Sequence, residues 1–385
     1  MNIKGVLTKN AMTIATVVVI LFFAIATKGM LILPQNVNNL IAQNAYVFIL
    51  ATGMLLCILT GGNIDLSVGS VVCLVGAIGA VMMVNNKLPI ALAIVVMLAI
   101  GIAIGAFQGY CIAYVGVPPF ICTLAGMFAW RGLANVILQG LTISPMPNDF
   151  LALFNSYVPD IIGGSGSTFN ITCFAAAIIF CVLYILFQLT SRKNKQKKGY
   201  DVEPITAMIL KTIIICAVLL WFMFKLSEYK GIPVILIWVV VIVAIYTYIT
   251  SKTTTGRYFY AVGGNRAATA LSGIDTNKVY FIAYTNMAFL ASIAAFVVMA
   301  RLNSANPTAG TNYEMDAIGS CFIGGASAYG GTGTTSGVVI GAILMGVLNL
   351  GMSIMGVDMN WQKVVKGVVL LVAVIFDVTS KKRAA

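Results

Sequence analysis

Apolar runs follow one another along nearly the whole of this chain, near 11–33, 38–60, 66–84, 89–114, 119–138, 169–189, 204–225, 232–250, 279–301, 315–330, 334–355 and 361–377. Several exceed the ~18 consecutive apolar residues that mark a bilayer-spanning helix. In lipid each backbone N–H and C=O must find its partner within the protein, so such runs fold as helices. The 385 residues are 60% hydrophobic and 9% charged, where soluble domains carry roughly a quarter charged residues. The reading is an all-α polytopic membrane protein. One transmembrane domain fills 1–385, with about 10–12 spanning segments and no stretch long or polar enough for a soluble domain. The runs at 119–138 and 315–330 are short or glycine-broken, and both a half-spanning and a full helix are open there.

The net charge of +12 could suggest nucleic acid, but its distribution argues against that. Fourteen of the 23 Lys and Arg residues fall in four places: Lys4 and Lys9, Arg192 to Lys198, the set Lys252, Arg257, Arg266 and Lys278, and Lys381 to Arg383. Twelve crossings starting from an inner N-terminus bring all four clusters to one face, as the positive-inside rule requires. Both termini, the basic loop 190–203 and the loop 251–278 are therefore expected in the cytoplasm. The run 11–33 after Lys4 and Lys9 is too long for a signal peptide and lacks an Ala-x-Ala site, so a retained span is expected.

Much chemistry is excluded. The chain has no histidine, which removes histidine acid/base catalysis and histidine metal ligands. Its eight cysteines lie in or beside apolar runs with no C-x-x-C pair, and read as small core hydrophobes rather than metal ligands. No catalytic residue, metal or cofactor is expected. No G-x-x-x-x-G-K-[ST] occurs, so any ATP must be bound by a partner. Gly101, Gly105 and Gly109 recur every four residues, as do Gly337 and Gly341; this is the spacing that lets helices approach closely in lipid.

Four interruptions carry the functional argument. In TGGNIDLSVGS (60–70), Gly61 and Gly62 end one helix and Asn63, Asp65 or Ser67 can cap the next. This is either a tight turn near the surface or a discontinuous helix whose freed backbone and carboxylate line a polar cavity. In VPPFICTLAGMFAWRG (117–132), Arg131 lies in apolar sequence and must face a partner or water, or reach to the surface. In 306–337, Glu314 and Asp316 precede a glycine-dense stretch, and Asp316 or Glu314 is expected to pair with Lys366 near the outer half of the membrane. The loop 251–278 combines aromatics, a turn at Gly263–Gly264, a short helix over 267–272 and a stop at Gly273. It reads as a docking surface, or else as a connector lying at the lipid interface.

Together GGNIDLSVGS, VPPFICTLAGMFAWRG, GRYFYAVGGNRAATALSGI and RLNSANPTAGTNYEMDAIGSCFIGGASAYGG resemble, in order from about 35 to 377, the permease subunits of bacterial monosaccharide ABC importers of the ribose, galactose and xylose type. The extra span pair around 169–230, with SRKNKQKK, is closer to the xylose or multiple-monosaccharide branch. The resemblance implies a permease dimer in the bacterial inner membrane, a cytoplasmic ATPase and an extracytoplasmic sugar-binding protein. It also implies that 251–278 seats in the ATPase, through Arg257, Gly263, Gly264, Asn265, Arg266, Ala267, Ala268, Leu271, Gly273 and Ile274. A neutral sugar needs hydroxyl-pairing groups along its path, and Asn44, Asn63, Asp65, Ser67, Thr123, Arg131, Glu314 and Asp316 are the candidates. Related permeases for nucleosides or branched-chain amino acids share this architecture, and a proton-coupled carrier would want more ionisable groups at depth.

Overall fold

The computed structural model describes residues 11–164, 169–200, 202 and 204–382. Lys4, Lys9 and Arg383 lie outside the described residues, so the first basic cluster falls wholly outside them and the last falls partly outside. The described helices are α1 Ala11–Ala26, α2 Pro34–Leu59, α3 Val68–Ala80, α4 Ile90–Tyr110, α5 Pro119–Leu138, α6 Asn148–Phe154, α7 Ile171–Lys197 and α8 Ile205–Ser227. They continue with α9 Val234–Lys252, α10 Thr254–Gly264, α11 Arg266–Leu271, α12 Thr276–Leu302, α13 Tyr313–Ile323, α14 Thr335–Ile354 and α15 Met359–Lys382. Wider π turns extend α3 to Asn85 and α4 to Val115.

Among the described residues nine helices are long and apolar enough to cross a bilayer: α2, α3, α4, α5, α7, α8, α9, α12 and α14. The chain is a multi-pass membrane protein. Of the two readings open for 119–138, α5 is the longer one, a continuous helix of 20 residues. Pro118 and Pro119 sit at its first turn, where a missing N–H costs nothing and the fixed φ suits a helix. The segment at 315–330 is broken, with an 11-residue α13 giving way to irregular backbone at Gly324.

α2 is the hub. It is buried over most of its length and packs against α12, α13, α14, α9 and α8. The glycine spacing explains the tightest contact, between α4 and α12. A Cβ on Gly101 would stand 1.8 Å from Ser292 Oγ, one on Gly105 2.8 Å from the Thr285 Cα and Tyr284 carbonyl, and one on Gly109 2.9 Å from the Phe281 carbonyl. Gly337 and Gly341 do the same for α14 against the end of α13, where a Cβ would meet the Gly324 and Ser320 carbonyls at 2.1 and 2.0 Å. Gly105→Leu is therefore expected to destabilise the fold by about 1–3 kcal/mol, since backbone cannot yield as a side chain can. Gly132→Leu, where nothing lies within 4 Å, should melt like the parent in detergent. Equal melting of the two variants would show that the α4–α12 contact is looser than described.

The pair α7–α8 sits at the periphery, packed on itself and on α2, with most of its apolar side chains exposed. α9 and α12 fix the two ends of the bundle. Their ends at Lys252 and Thr276 flank α10 and α11, which we call the coupling end. Their other ends meet the segment 139–164 through bridges between Tyr157 and Pro233 and between Ile143 and Ala305.

Candidate functional site

α2 serves as a ruler along the bundle, because it is buried over most of its length and its 26 residues span ~39 Å at 1.5 Å each. At the coupling end its last carbonyl, on Leu59, accepts from Gly331 N at 3.0 Å. The chain then turns through Gly61 and Gly62 at φ +136° and +74° and runs back alongside α2. Asp65 N reaches Met54 Sδ at 3.4 Å. A second irregular stretch, 303–312, descends from the opposite end. Its following helix, α13, places Asp316 Oδ2 2.6 Å from the hydroxyl of Tyr46, at the midpoint of α2. The two stretches meet at Gly69 and Gly310, where a Cβ on either would fall 2.0–2.1 Å from the other's carbonyl. Residues 60–67 are irregular backbone between α2 and α3, with Asp65 buried. Irregular backbone is tolerated at this depth because it is buried in protein.

Polar side chains gather around that meeting point. Asp65 is 1% exposed, and its Oδ1 accepts from Ser67 N at 2.8 Å and Ser67 Oγ at 2.7 Å. This Asx turn satisfies backbone ahead of α3. Gln108 Nε2 donates to Ser67 Oγ at 3.0 Å, extending the chain of bonds to α4. Gly126 of α5 leaves the room: a Cβ there would stand 2.2 Å from Gln108 Nε2 and 2.9 Å from Trp130 Nε1. The buried Trp130 Nε1 and Tyr284 hydroxyl have no protein partner. A buried unpaired donor costs about 1–3 kcal/mol, so these atoms mark places where an oxygen acceptor is wanted. Among the described residues no cation pairs with Asp65.

Arg131 faces a partner within the protein rather than reaching to the surface. Its guanidinium donates to the Pro307 carbonyl at 3.1 Å and to the Ala309 carbonyl, pinning the descending stretch from α5. Glu314 lies beside Gly69, its Oε2 2.9 Å from where a Cβ would be. The expected pairing of Asp316 with Lys366 is present: the ammonium lies 2.9 Å from Oδ1, with the two side chains 2% and 16% exposed. Tyr313 stacks on Tyr46 at 3.6 Å between ring centres, closing this side of the site.

Three of the expected path residues stand elsewhere. Asn63 turns back to the end of α2, its Nδ2 3.3 Å from Thr60 Oγ1. Thr123 is buried with its hydroxyl spent on the Pro119 carbonyl at 2.9 Å. Asn44 joins α2 to α14 through Asn349 Nδ2 at 3.3 Å. Sequence reasoning missed Gln108, although the signal was there: it is the one amide in the 26-residue span Ile90–Val115.

At the coupling end, 251–278 forms two short helices. Thr253 caps α10 through Gly256 N at 3.0 Å, and Asn265 caps α11 through Ala268 N at 2.9 Å. The turn expected at Gly263–Gly264 is corrected: both belong to α10, and the chain turns at Asn265. Gly263 is bare for another reason, since a Cβ would lie 1.7 Å from the Leu59 carbonyl. Gly273 holds φ +81° and stands just past the end of α11. Phe259 and Val262 are buried against the bundle, whereas Ala267, Ala268 and Leu271 face outward, Leu271 at 90% exposure. Arg257 is exposed. Arg266, expected to reach outward, is engaged within the chain: it donates to Asn277 Oδ1 at 2.9 Å and lies 4.7 Å over the Tyr280 ring. Ile274 is half-buried on the bundle side and adds little to the outer face.

Comparison with known proteins places this geometry. The family model described as the branched-chain amino acid transport system / permease component matches residues 36–374. The chain is 36% identical over 372 residues to the xylose transport system permease protein of Haemophilus influenzae, covering 97% of this chain and 96% of that one. It is 35% identical over 373 residues to its Escherichia coli counterpart, covering 97% and 92%. The ribose import permease protein of Haemophilus influenzae is 36% identical over 344 residues, covering 89% and 85%. No solved structure matches. A polytopic bundle with irregular segments buried between its helices, matched over nearly its full length by sugar permeases, belongs to the branched-chain amino acid transport system / permease component family.

Proposed function

We propose that this chain is the membrane permease of an ATP-driven importer that carries a monosaccharide, with the pentose xylose the leading candidate. The observation that carries the reading is coverage: the xylose permeases align over 97% of the chain and the ribose permease over 89%. Two copies would work with a cytoplasmic ATPase and an extracytoplasmic sugar-binding protein, with both termini in the cytoplasm. The half-depth site suits a neutral polyol. Asp65 and Gln108 accept from hydroxyls, Trp130 Nε1 and Tyr284 donate to them, and none demands a charged ligand. Asp65, Ser67, Arg131, Glu314 and Asp316 are proposed to border the path. Weak, distributed contacts of this kind let a substrate leave as readily as it enters.

The test is uptake of labelled xylose, ribose, leucine and a nucleoside by cells expressing the chain with its ATPase and binding protein. Sugar uptake is expected, with leucine and nucleoside at background. The Asp65→Ala variant should insert in normal amounts yet lose roughly a hundredfold in uptake, the scale on which a 1 Å misplacement is felt. Uptake of leucine or the nucleoside without sugar would overturn the substrate class. Full sugar uptake by Asp65→Ala would return 60–70 to an ordinary turn.

A further inference from the structure

We infer that motion of the ATPase reaches the half-depth site through a junction of three bare backbones, and that Gly62, Gly263 and Gly330 are positioning residues for transport. The inference rests on the coupling role proposed for 251–278. At the coupling end Gly263 of α10, the stretch Leu59 to Gly62 and the stretch Ala328 to Gly331 press together without side chains between them. A Cβ on Gly263 would lie 1.7 Å from the Leu59 carbonyl and 2.5 Å from Gly331 N. One on Gly62 would lie 1.9 Å from the Ala328 carbonyl, and one on Gly330 2.4 Å from Gly61 Cα. Each backbone is thus in contact with the other two.

Hydrogen bonds hold the junction shut. Gly331 N donates to the Leu59 carbonyl at 3.0 Å. The Tyr280 hydroxyl of α12 donates to the Thr60 carbonyl at 2.7 Å, and the Tyr260 hydroxyl of α10 donates to the Gly333 carbonyl at 2.9 Å. Side chains could absorb a push from α10 by changing rotamer, but close-packed backbone has low compressibility and passes displacement on. The receiving stretch leads directly to the site. Gly61 and Gly62 both hold positive φ, and Asp65 follows three residues later. The other receiver, Ala328 to Gly331, follows α13 and so leads back to Asp316. One push at Gly263 therefore acts on both halves of the site.

The experiment compares ATP hydrolysis stimulated by the sugar-loaded binding protein, basal hydrolysis and melting temperature in the reconstituted complex. Gly263→Ala is expected to lose most of the stimulation. Gly132→Ala, on a helix of equal regularity with nothing within 4 Å, should match the parent. Because Gly263→Ala could misfold, Tyr260→Phe combined with Tyr280→Phe loosens the junction without adding bulk, and should lower stimulation in the same direction. Unchanged stimulation in the tyrosine double variant, or in a normally melting Gly263→Ala, overturns the junction. Unchanged stimulation in Leu271→Asp, which alters only the outer face, would instead overturn the coupling role beneath it.

Discussion

Lys366→Met is expected to destabilise the protein by about 3–5 kcal/mol, the range seen when one partner of a buried ion pair is removed. The loss is not that of an attractive contact alone. Asp316 would keep only the Tyr46 hydroxyl at 2.6 Å and remain 2% exposed, a charge stranded where water cannot reach it. The pair also joins three helices, α2, α13 and α15, at the level where the broken segments meet. The double variant Asp316→Leu with Lys366→Met should recover much of the stability, since well-packed apolar groups often replace a buried pair at no cost. Thermal unfolding of the purified protein in detergent reads both effects. A single variant that melts like the parent would mean that the pair is bridged by water or reorganises freely.

The second large effect is on coupling. Ala268→Arg or Leu271→Asp places a charge on the outward face of α11, where Leu271 is 90% exposed and nothing in this chain is disturbed. Folding should be untouched. The expected result is hydrolysis that no longer responds to the sugar-loaded binding protein, while that protein still docks on the far side. The energy of the contact must come from burying this apolar face, because exposed ion pairs such as Arg257 could form are worth only ~0–1 kcal/mol. Arg257→Gln should accordingly have a small effect. If the charged variants kept full stimulation, the ATPase would have to engage elsewhere, and the basic end of α7 with Arg192 to Lys198 would be the next place to test.

How far the sequence could be read follows from which forces are local. Spanning helices were legible because a bilayer imposes both a minimum length and a near absence of charge on each one. The break at 60–67 was legible because paired glycines and an aspartate have no business in an apolar run unless the backbone turns there. Its depth was not, because nothing local says that the chain runs back alongside α2 to meet Gly310. Arg131 illustrates the same limit. An intramembrane guanidinium announces the need for a partner, yet a carboxylate is only one option, and here two loop carbonyls serve. Lys366 and Asp316 were easier, since a lysine deep in an apolar segment calls for a carboxylate and Asp316 is the one charge in the run 315–330. Gly263 was read as a turn residue, whereas only the folded bundle shows that the Leu59 carbonyl occupies its side-chain space. The span of 119–138 stayed open because its apolar run is short, whereas in the fold Pro119 begins a continuous helix of 20 residues.

The central claim is that this chain moves a sugar with energy supplied by ATP through a partner. Proteoliposomes holding the chain with its ATPase, with binding protein and labelled xylose on one side and ATP on the other, test it most directly. The account predicts sugar accumulation that requires ATP, the ATPase and the binding protein together. Accumulation driven by a proton gradient in liposomes containing this chain alone would contradict it.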